Sequence, residues 1–235
     1  MLEFEPDADA DVATDATPKR DQYSVIRQGR STLYLDLDSG LNLHYTRGLV
    51  DAEDSKTIFR LLERHLTYNS AKDSKVLIFG KYVDIPRRQV AYGEPGTFYR
   101  FAGNVVEARN WYEDGIIETL LRKLRHKLEV HAGSQFNFVL INRYEDGDQY
   151  IGFHTDSEAD LGPEPKIAGI SFGAVRPLHF KRISTGTTDI KVDLDPGSVV
   201  IMHHPTNVYW KHSIPKTAKK IGPRISLTYR KMVNF

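Results

Sequence analysis

The residues best suited to chemistry are a histidine and an aspartate two positions apart, His154 and Asp156. On an extended strand alternate side chains leave the same face, so this imidazole and this carboxylate can approach one ion together. A third ligand must come from elsewhere, and His212 in the segment WKHSIP is a candidate. Two histidines and one carboxylate form the ligand set of non-haem Fe(II) sites that keep positions open for reactants. By itself, an H-x-D pair is more often a surface histidine beside a solvated aspartate.

A second feature is a strand predicted at residues 224–230, whose two faces differ in polarity. One face carries Ile225, Leu227 and Tyr229, and the other carries Arg224, Ser226, Thr228 and Arg230. A solvent-facing strand would show the same pattern. If the polar face points into a barrel, two buried guanidinium groups are costly unless anions pair with them. A dicarboxylate would satisfy them, because arginine binds a carboxylate through a planar fork.

Taken together in chain order, these motifs resemble the AlkB family of Fe(II)- and 2-oxoglutarate-dependent dioxygenases, which demethylate nucleic acids. The matching residues are N-x-Y, H-x-D, a later histidine and R-x-x-x-x-x-R, here Asn142, Tyr144, His154, Asp156, His212, Arg224 and Arg230. The segments FNFVLINRYEDG, ISFGA, HHPTN and PRISLTYRK are similar to the eukaryotic branch that repairs alkylated bases in duplex DNA. The resemblance covers about residues 70 to 232.

The resemblance implies a role for each matched position. It assigns Fe(II) to His154, Asp156 and His212, and it assigns 2-oxoglutarate to Asn142, Tyr144, Arg224, Thr228 and Arg230. The other cosubstrate would be O2. His179, His203 and His204 are rivals for the third metal ligand. His212 is favoured because, as in this branch, it precedes Arg224 by twelve positions and lies in a W-x-H-S context.

Residues 76–82, VLIFGKY, resemble the hydrophobic finger of the duplex-DNA branch. A methylated Watson–Crick edge can be reached only if the base is flipped out of the duplex. Phe79 would fill the gap in the stack, Gly80 would allow a tight turn, and Lys81 would lie beside them. The alternative interpretation of this short apolar run is an ordinary buried strand.

The resemblance also predicts residues that contact the flipped base. Tyr99 and Phe101, on either side of Arg100, would share one face, and the second aromatic residue would stack the base against His154. Ser157 stands where the duplex-DNA branch has an acidic residue that contacts the base, and Glu158 follows it. Further candidates, for phosphate contacts, are Lys81, Arg87, Arg88, Lys216, Lys219 and Lys220.

The implied function is oxidative demethylation of 1-methyladenine and 3-methylcytosine in DNA, mainly duplex, with release of formaldehyde and succinate. Within the same class, the alternative is a demethylase or hydroxylase that acts on RNA or protein. A different class is an inactive module that binds damaged DNA. The presence of all three metal ligands and both arginines favours an enzyme. We expect a nuclear monomer that acts on double-stranded DNA, with single-stranded DNA or RNA as alternative substrates and a cytosolic location as the alternative.

The pattern of elements predicts an α+β fold with a double-stranded β-helix, or jelly-roll, core buttressed by N-terminal helices. A hairpin is expected at 32–45, and helices are expected from Asp51 to about residue 68 and from about 113 to 130. Their apolar stripes are Ile58, Leu61, Leu62 and Leu66, and Ile117, Leu120, Leu121, Leu124 and Leu128. Strands are expected at 136–144, 150–156, 166–174, 177–183, 189–194, 197–203 and 224–231.

Composition limits the class of protein. The 235 residues are 40% hydrophobic and include no cysteine, which excludes disulfides, thiolate ligands and thiol nucleophiles. Residues 1–22 carry a net charge of −5 against +1 for the whole chain, so the remainder is basic at +6. We expect a disordered acidic leader at 1–22 and a single dioxygenase domain at 23–235. Within that domain we expect a nucleotide-recognition lid at about 70–105 and the jelly-roll core at about 136–232. No apolar run is long enough to span a membrane.

Overall fold

The computed structural model describes residues 23–70, 74–78, 81–101, 104–156 and 161–233, with backbone alone for 76–78, 101, 104, 188 and 189. The predicted leader at 1–22 lies outside the described residues. The same is true of Phe79, Gly80, Ser157 and Glu158.

The described chain begins with three antiparallel strands and a helix: β1 (Ser24–Gln28), β2 (Ser31–Asp36), β3 (Leu41–Thr46) and α1 (Ala52–His65). The hairpin predicted at 32–45 is confirmed as β2 and β3, whereas β1 was not predicted. Asp51 is the N-cap of α1, as predicted, and its carboxylate accepts a hydrogen bond from the backbone N–H of Asp54 at 2.9 Å.

Six short strands and the longest helix follow: β4 (Lys75–Ile78), β5 (Lys81–Asp84), β6 (Arg88–Gly93), β7 (Phe98–Phe101), β8 (Asn104–Glu107), β9 (Arg109–Asn110) and α2 (Ile116–Ala132). Helix α2 begins slightly later than predicted, because Gly115 is its N-cap in an extended conformation. It ends at Gly133, whose φ of 57° lies in the left-handed region that favours glycine.

The second half is built mainly of strands: β10 (Phe138–Tyr144), β11 (Ile151–His154), β12 (Ile167–Gly173), β13 (Arg176–Arg182), β14 (Thr188–Leu194), β15 (Val199–Met202), α3 (Thr206–Tyr209), β16 (Trp210–Ile214) and β17 (Arg224–Arg230). All seven predicted strands are present with small shifts at their ends. Strand β16, which carries His212, was not predicted, because its five residues follow directly on a one-turn helix.

Two sheets face each other and form the predicted jelly-roll core. The large sheet has the order β1-β2-β3-β15-β12-β17-β10-β6-β9, and the small sheet has the order β11-β16-β13-β14. The strand pairs β4–β5 and β7–β8 form separate two-stranded sheets. No helix within the described ranges is long and apolar enough to cross a membrane.

Strand β17 lies between β10 and β12, and its two faces separate as predicted. Ile225, Leu227 and Tyr229 are buried against the helices in one apolar cluster, which includes Leu62 of α1 and the buried residues of α2, Ile117, Leu121, Leu124 and Leu128. The polar residues of β17, Arg224, Ser226, Thr228 and Arg230, line a cavity on the other side of the sheet. The helices therefore stabilise the back of the large sheet, and its front face is left for the site.

Candidate metal and cosubstrate site

Neighbouring strands of the small sheet bring the two predicted histidine ligands together. Strand β11 pairs antiparallel with β16, and His154 lies directly opposite His212. Asp156 follows two residues after His154, just beyond the end of β11, and its side chain reaches the same place. The pairing thus joins residues 58 positions apart, a contact that the sequence predicted through the resemblance to the family.

The three side chains form a compact cluster. Asp156 Oδ1 lies 3.6 Å from Nε2 of His154 and 4.0 Å from Nε2 of His212. One ligand atom from each residue lies within 4.8 Å of the other two, and no other such group occurs in the part of the chain that the structure describes. The rivals His179, His203 and His204 are therefore outside the cluster.

The protonation of both imidazoles suits metal binding. Nδ1 of His154 lies 2.9 Å from the carbonyl oxygen of Gly152, so a proton on Nδ1 leaves the Nε2 lone pair facing the cluster. Burial, with His154 next to it, lowers the pKa of His212 to about 3. His212 is consequently neutral at physiological pH, as a ligand must be.

Asp156 is almost completely buried and remains ionised. Burial would raise its pKa, but the positive charge of Arg230 and the adjacent imidazoles of His154 and His212 outweigh it, so the pKa lies below its ordinary value. The Arg230 guanidinium lies 3.0 Å from Asp156 Oδ1. The cluster thus presents one negative charge beside the imidazoles of His154 and His212, a combination that attracts a divalent cation.

A cavity of about 760 Å³ lies between the two sheets and includes the cluster in its wall. On the large sheet its wall includes small or polar residues at paired positions of β12 and β17, Gly169 opposite Thr228 and Ser171 opposite Ser226. Short side chains there leave room for a ligand beside the cluster.

Arg224 marks another part of this cavity, and it is only 3% exposed. One guanidinium nitrogen donates to Ser171 Oγ at 2.9 Å, and the group lies 5.5 Å from the ring of Tyr144. Its Nε and Nη1 atoms find no hydrogen-bond partner among the described residues. Burial lowers the pKa of Arg224 to about 10, so the group is still cationic at neutral pH. A buried cation with two free donors indicates a site for an anion.

The other predicted cosubstrate residues also face the cavity. Asn142, Tyr144 and Thr228 line it, on β10 and β17. Asn142 is not free in this structure, because its Oδ1 accepts a hydrogen bond from Nε of Arg87 at 2.9 Å. The sequence suggested Arg87 as a phosphate contact, yet the side chain reaches into the cavity, whereas Arg88 is exposed. The sequence could not show which of the two arginines reaches the cavity, because nothing in it distinguishes Arg87 from Arg88.

The predicted base-contacting residues lie partly at this cavity. Tyr99 is buried in its wall, and Arg100 is exposed at its edge. The side chain of Phe101 is not described, and Lys81 is exposed at the start of β5. Phe79, Gly80, Ser157 and Glu158 lie outside the described residues, so their predicted contacts remain predictions.

Sequence reasoning missed two residues that contact the site. Ser171 holds Arg224, and its position on β12 opposite the polar face of β17 could have indicated this. Asn207 forms hydrogen bonds with the backbone of Asp156. It lies in the HHPTN motif that matched the family, but nothing in the sequence indicated which residue it would contact.

Comparisons with known proteins agree with this geometry. The 2OG-Fe(II) oxygenase superfamily matches residues 81–230. "DNA oxidative demethylase ALKBH2" of Bos taurus is 37% identical over 201 residues, which cover 83% of this chain and 70% of that protein. The Homo sapiens protein of the same name is also 37% identical over 201 residues, with coverage of 83% and 74%. The solved structure of OsALKBH1 has a similar fold, with a TM-score of 0.56 at 15% identity over 85% of this chain and 99% of that one.

The chain therefore belongs to the 2OG-Fe(II) oxygenase superfamily and, within it, to the AlkB family. The cofactors predicted from the sequence, Fe(II), 2-oxoglutarate and O2, are those of this superfamily. The residues present fit them on two counts. The cluster supplies a carboxylate and two imidazoles for the metal, and Arg224 supplies buried donors for a carboxylate that have no partner among the described residues.

Proposed function

We propose that this enzyme removes methyl groups from 1-methyladenine and 3-methylcytosine in DNA, with 2-oxoglutarate as cosubstrate. The observation that carries the proposal is the shared cavity, where the cluster of His154, Asp156 and His212 lies together with the buried Arg224. Two relatives similar over most of this chain are both DNA oxidative demethylases by name.

Each cavity residue has a distinct role in the proposal. His154, Asp156 and His212 hold Fe(II). Arg224 binds a carboxylate of 2-oxoglutarate, and Asn142, Tyr144 and Thr228 contribute to the same site. The Arg230 guanidinium lies 3.0 Å from the Asp156 carboxylate and offsets its negative charge. In the proposal it also contacts the cosubstrate, because it lines the same cavity.

Bound iron, with 2-oxoglutarate and O2, supplies the oxidation of the N-methyl group, which leaves as formaldehyde while 2-oxoglutarate becomes succinate and CO2. The protein positions the reactants and limits access of water. In the metal-free site, the low pKa of His212 leaves its imidazole unprotonated and able to bind the metal. The buried Tyr99 supplies an aromatic wall for the flipped base, and base–aromatic stacking contributes about 1–3 kcal/mol.

The test is a stoichiometric assay on an oligonucleotide duplex that contains one 1-methyladenine or 3-methylcytosine. We expect formaldehyde and succinate to appear in equal amounts as the lesion disappears, in a reaction that needs both Fe(II) and 2-oxoglutarate. Matched RNA and single-stranded DNA serve as parallel substrates. Succinate formation without loss of the lesion on any of these substrates would contradict the proposal.

The β4–β5 hairpin supports the proposal that duplex DNA is the preferred substrate. Its strands pair from Lys75 opposite Asp84 to Ile78 opposite Lys81, so positions 79 and 80 connect them. All four residues of β5 are exposed, including Tyr82 at 70%, so the second strand of this hairpin is not buried. We infer that the hairpin presents Phe79 as the wedge that fills the gap left by the flipped base.

Replacement of Phe79 by alanine tests the wedge. We expect repair of duplex DNA to fall much further than repair of single strands, because only the duplex has a stack to fill. Tyr82→Ala is the matched control, since Tyr82 is exposed on the same hairpin. Equal losses on both substrates would contradict the wedge role.

The proposed location is the nucleus, where genomic DNA is the substrate, and the proposed oligomeric state is a monomer. Fluorescence microscopy of the tagged full chain tests the first, and sedimentation equilibrium tests the second. A purely cytosolic signal, or a stable dimer, would contradict the respective proposal.

A further inference from the structure

The turn that precedes His212 also contacts the backbone of Asp156. Asn207 lies on α3, the one-turn helix between β15 and β16. The backbone N–H of Asp156 donates to Asn207 Oδ1 at 2.8 Å, and Asn207 Nδ2 donates to the carbonyl oxygen of Asp156 at 2.7 Å. One side-chain amide thus satisfies both backbone groups of the metal-ligand candidate that lies beyond the end of β11.

The residue next to Asn207 fixes the turn itself to the large sheet. The Thr206 hydroxyl accepts a hydrogen bond from the backbone N–H of Asn42 at 2.7 Å and donates to the carbonyl oxygen of Asn42 at 3.0 Å. Thr206 is fully buried, and Asn42 lies on β3. Two adjacent side chains therefore link the large sheet to Asp156, each by a two-point contact with a backbone.

This link matters because the strand pairing of the small sheet positions only the histidines. His154 and His212 are directly opposed in the β11–β16 ladder, whereas Asp156 has no strand partner among the described residues. The Asp156 carboxylate is also attracted by Arg230 at 3.0 Å, which competes with a metal for the same oxygen. Something must hold the Asp156 backbone so that its carboxylate stays beside the two imidazoles.

We propose that Asn207 is the positioning residue for Asp156, and that it sets metal affinity without touching the metal. The inference rests on the metal-binding role given to Asp156 in the proposed function. The amide of Asn207 supplies both an acceptor for the N–H of Asp156 and a donor for its carbonyl oxygen. Outer partners of metal ligands contribute about 10- to 100-fold in metal affinity.

The experiment measures Mn(II) affinity of the metal-free full chain by electron paramagnetic resonance, without 2-oxoglutarate or DNA. We expect Asn207→Ala and Asn207→Leu each to weaken Mn(II) binding by about 10- to 100-fold. Leucine keeps the branched shape of asparagine and lacks the donor and the acceptor, so it separates hydrogen bonding from packing. Val208→Ala is the matched control, because Val208 is 52% exposed on the same turn, and we expect unchanged affinity.

Two further readouts separate positioning from general destabilisation. The melting temperature of the metal-free variants should stay close to that of the parent chain, and the ligand-field spectrum of bound Co(II) should change in the Asn207 variants alone. Parent-like Mn(II) affinity in a folded Asn207→Leu protein would overturn the inference. A parent chain that binds Mn(II) but demethylates no base would overturn the proposed function and leave the role of Asn207 standing.

Discussion

At the scale of single residues, burial determines the chemical state of the site. His212 is neutral because its charged form would lose hydration, whereas Asp156 stays ionised because Arg230 lies beside it. The same burial leaves Arg224 with two donors that no described residue satisfies. These opposite outcomes give a cluster that attracts a cation close to a group that attracts an anion.

We predict that His212→Ala abolishes tight Fe(II) binding, because two remaining ligands cannot hold the ion in the cavity. Anaerobic titration of the metal-free protein measures it. His179→Ala is the control. Phe180 lies opposite His212 in the β13–β16 pairing, and His179 is the residue before it. Because successive side chains of a strand leave opposite faces, His179 points away from the cluster. If His212→Ala still binds Fe(II) tightly, another histidine must be the third ligand.

Arg224→Met should raise the concentration of 2-oxoglutarate needed for half-maximal binding by about 10- to 100-fold, because hydrogen bonds to charged groups contribute about 1.5–3 kcal/mol. Calorimetric titration of the Mn(II)-loaded protein measures this, and Arg64→Met on the exposed side of α1 is the control. Unchanged affinity would remove Arg224 from the cosubstrate site.

At the scale of elements, close contacts between turns and the helical layer hold the sheets in place. The turn between β14 and β15 contains Gly197, which has a φ of 77° and accepts a hydrogen bond from Val50 N–H at 3.1 Å. A Cβ atom at this position would lie 2.1 Å from the Val50 carbonyl oxygen. The backbone just before α1 therefore fits against β15 only if residue 197 has no side chain.

We predict that Gly197→Ala lowers the free energy of unfolding by about 1–3 kcal/mol from backbone strain, with a further loss from the collision. Gly96→Ala is the matched control, because its φ of 80° is similar but no atom lies within 4 Å of the added Cβ. Urea denaturation of both variants separates strain from collision. Equal losses would show that the contact with Val50 adds nothing.

A charged cluster joins α1 to β10 on the face of the large sheet that the helices cover. Arg143 donates to both carboxylate oxygens of Glu63, at 2.6 and 2.9 Å, and also pairs with Glu145. The hydrogen bond from Arg143 holds the pKa of Glu145 below its ordinary value. Because the folded-state pKa is depressed, this pair stabilises the fold above the unfolded-state pKa and loses that contribution as pH falls through the folded value.

Glu145→Gln should therefore cost about 0.2–1 kcal/mol of stability at pH 7, the range for exposed ion pairs, and nothing in strong acid. Denaturant titrations of the parent and variant across that pH range measure the difference. Glu164→Gln, which removes a charge at another exposed position, is the control. A difference that persists in acid would indicate a packing effect.

At the scale of the whole molecule, the metal site connects parts of the chain that would separate on unfolding. Ligands that bind the folded state alone stabilise it by mass action, by about 2.7 kcal/mol at a hundred times the dissociation constant. We therefore predict that Mn(II) raises the melting temperature of the parent chain and that a chelator reverses the shift. The His154→Ala protein should show no shift, and an equal shift there would place the stabilising ion elsewhere.

Much of the architecture could be predicted because it follows from the local pattern of apolar and polar residues and from helix-capping residues. Alternation along residues 224–230 identified which side chains face the helices, and the capping residues Asp51 and Gly133 marked the ends of two helices. Strand β16 could not be predicted, because its five residues are held by pairing with β11 and β13 and carry no clear periodicity of their own.

The sequence by itself determined the set of reactive residue types, the order of the motifs and the family they belong to. It could do so because the chemistry needs particular residue types at particular spacings. The H-x-D pair, the later histidine and the paired arginines can be read directly from the chain. Only the tertiary structure decided that Asn207 holds Asp156, that Arg87 reaches Asn142, and that Arg224 has two donor atoms without a partner among the described residues. The first two contacts join residues that are 51 and 55 positions apart, and the state of Arg224 depends on burial by several strands. Neither can be predicted from the local sequence.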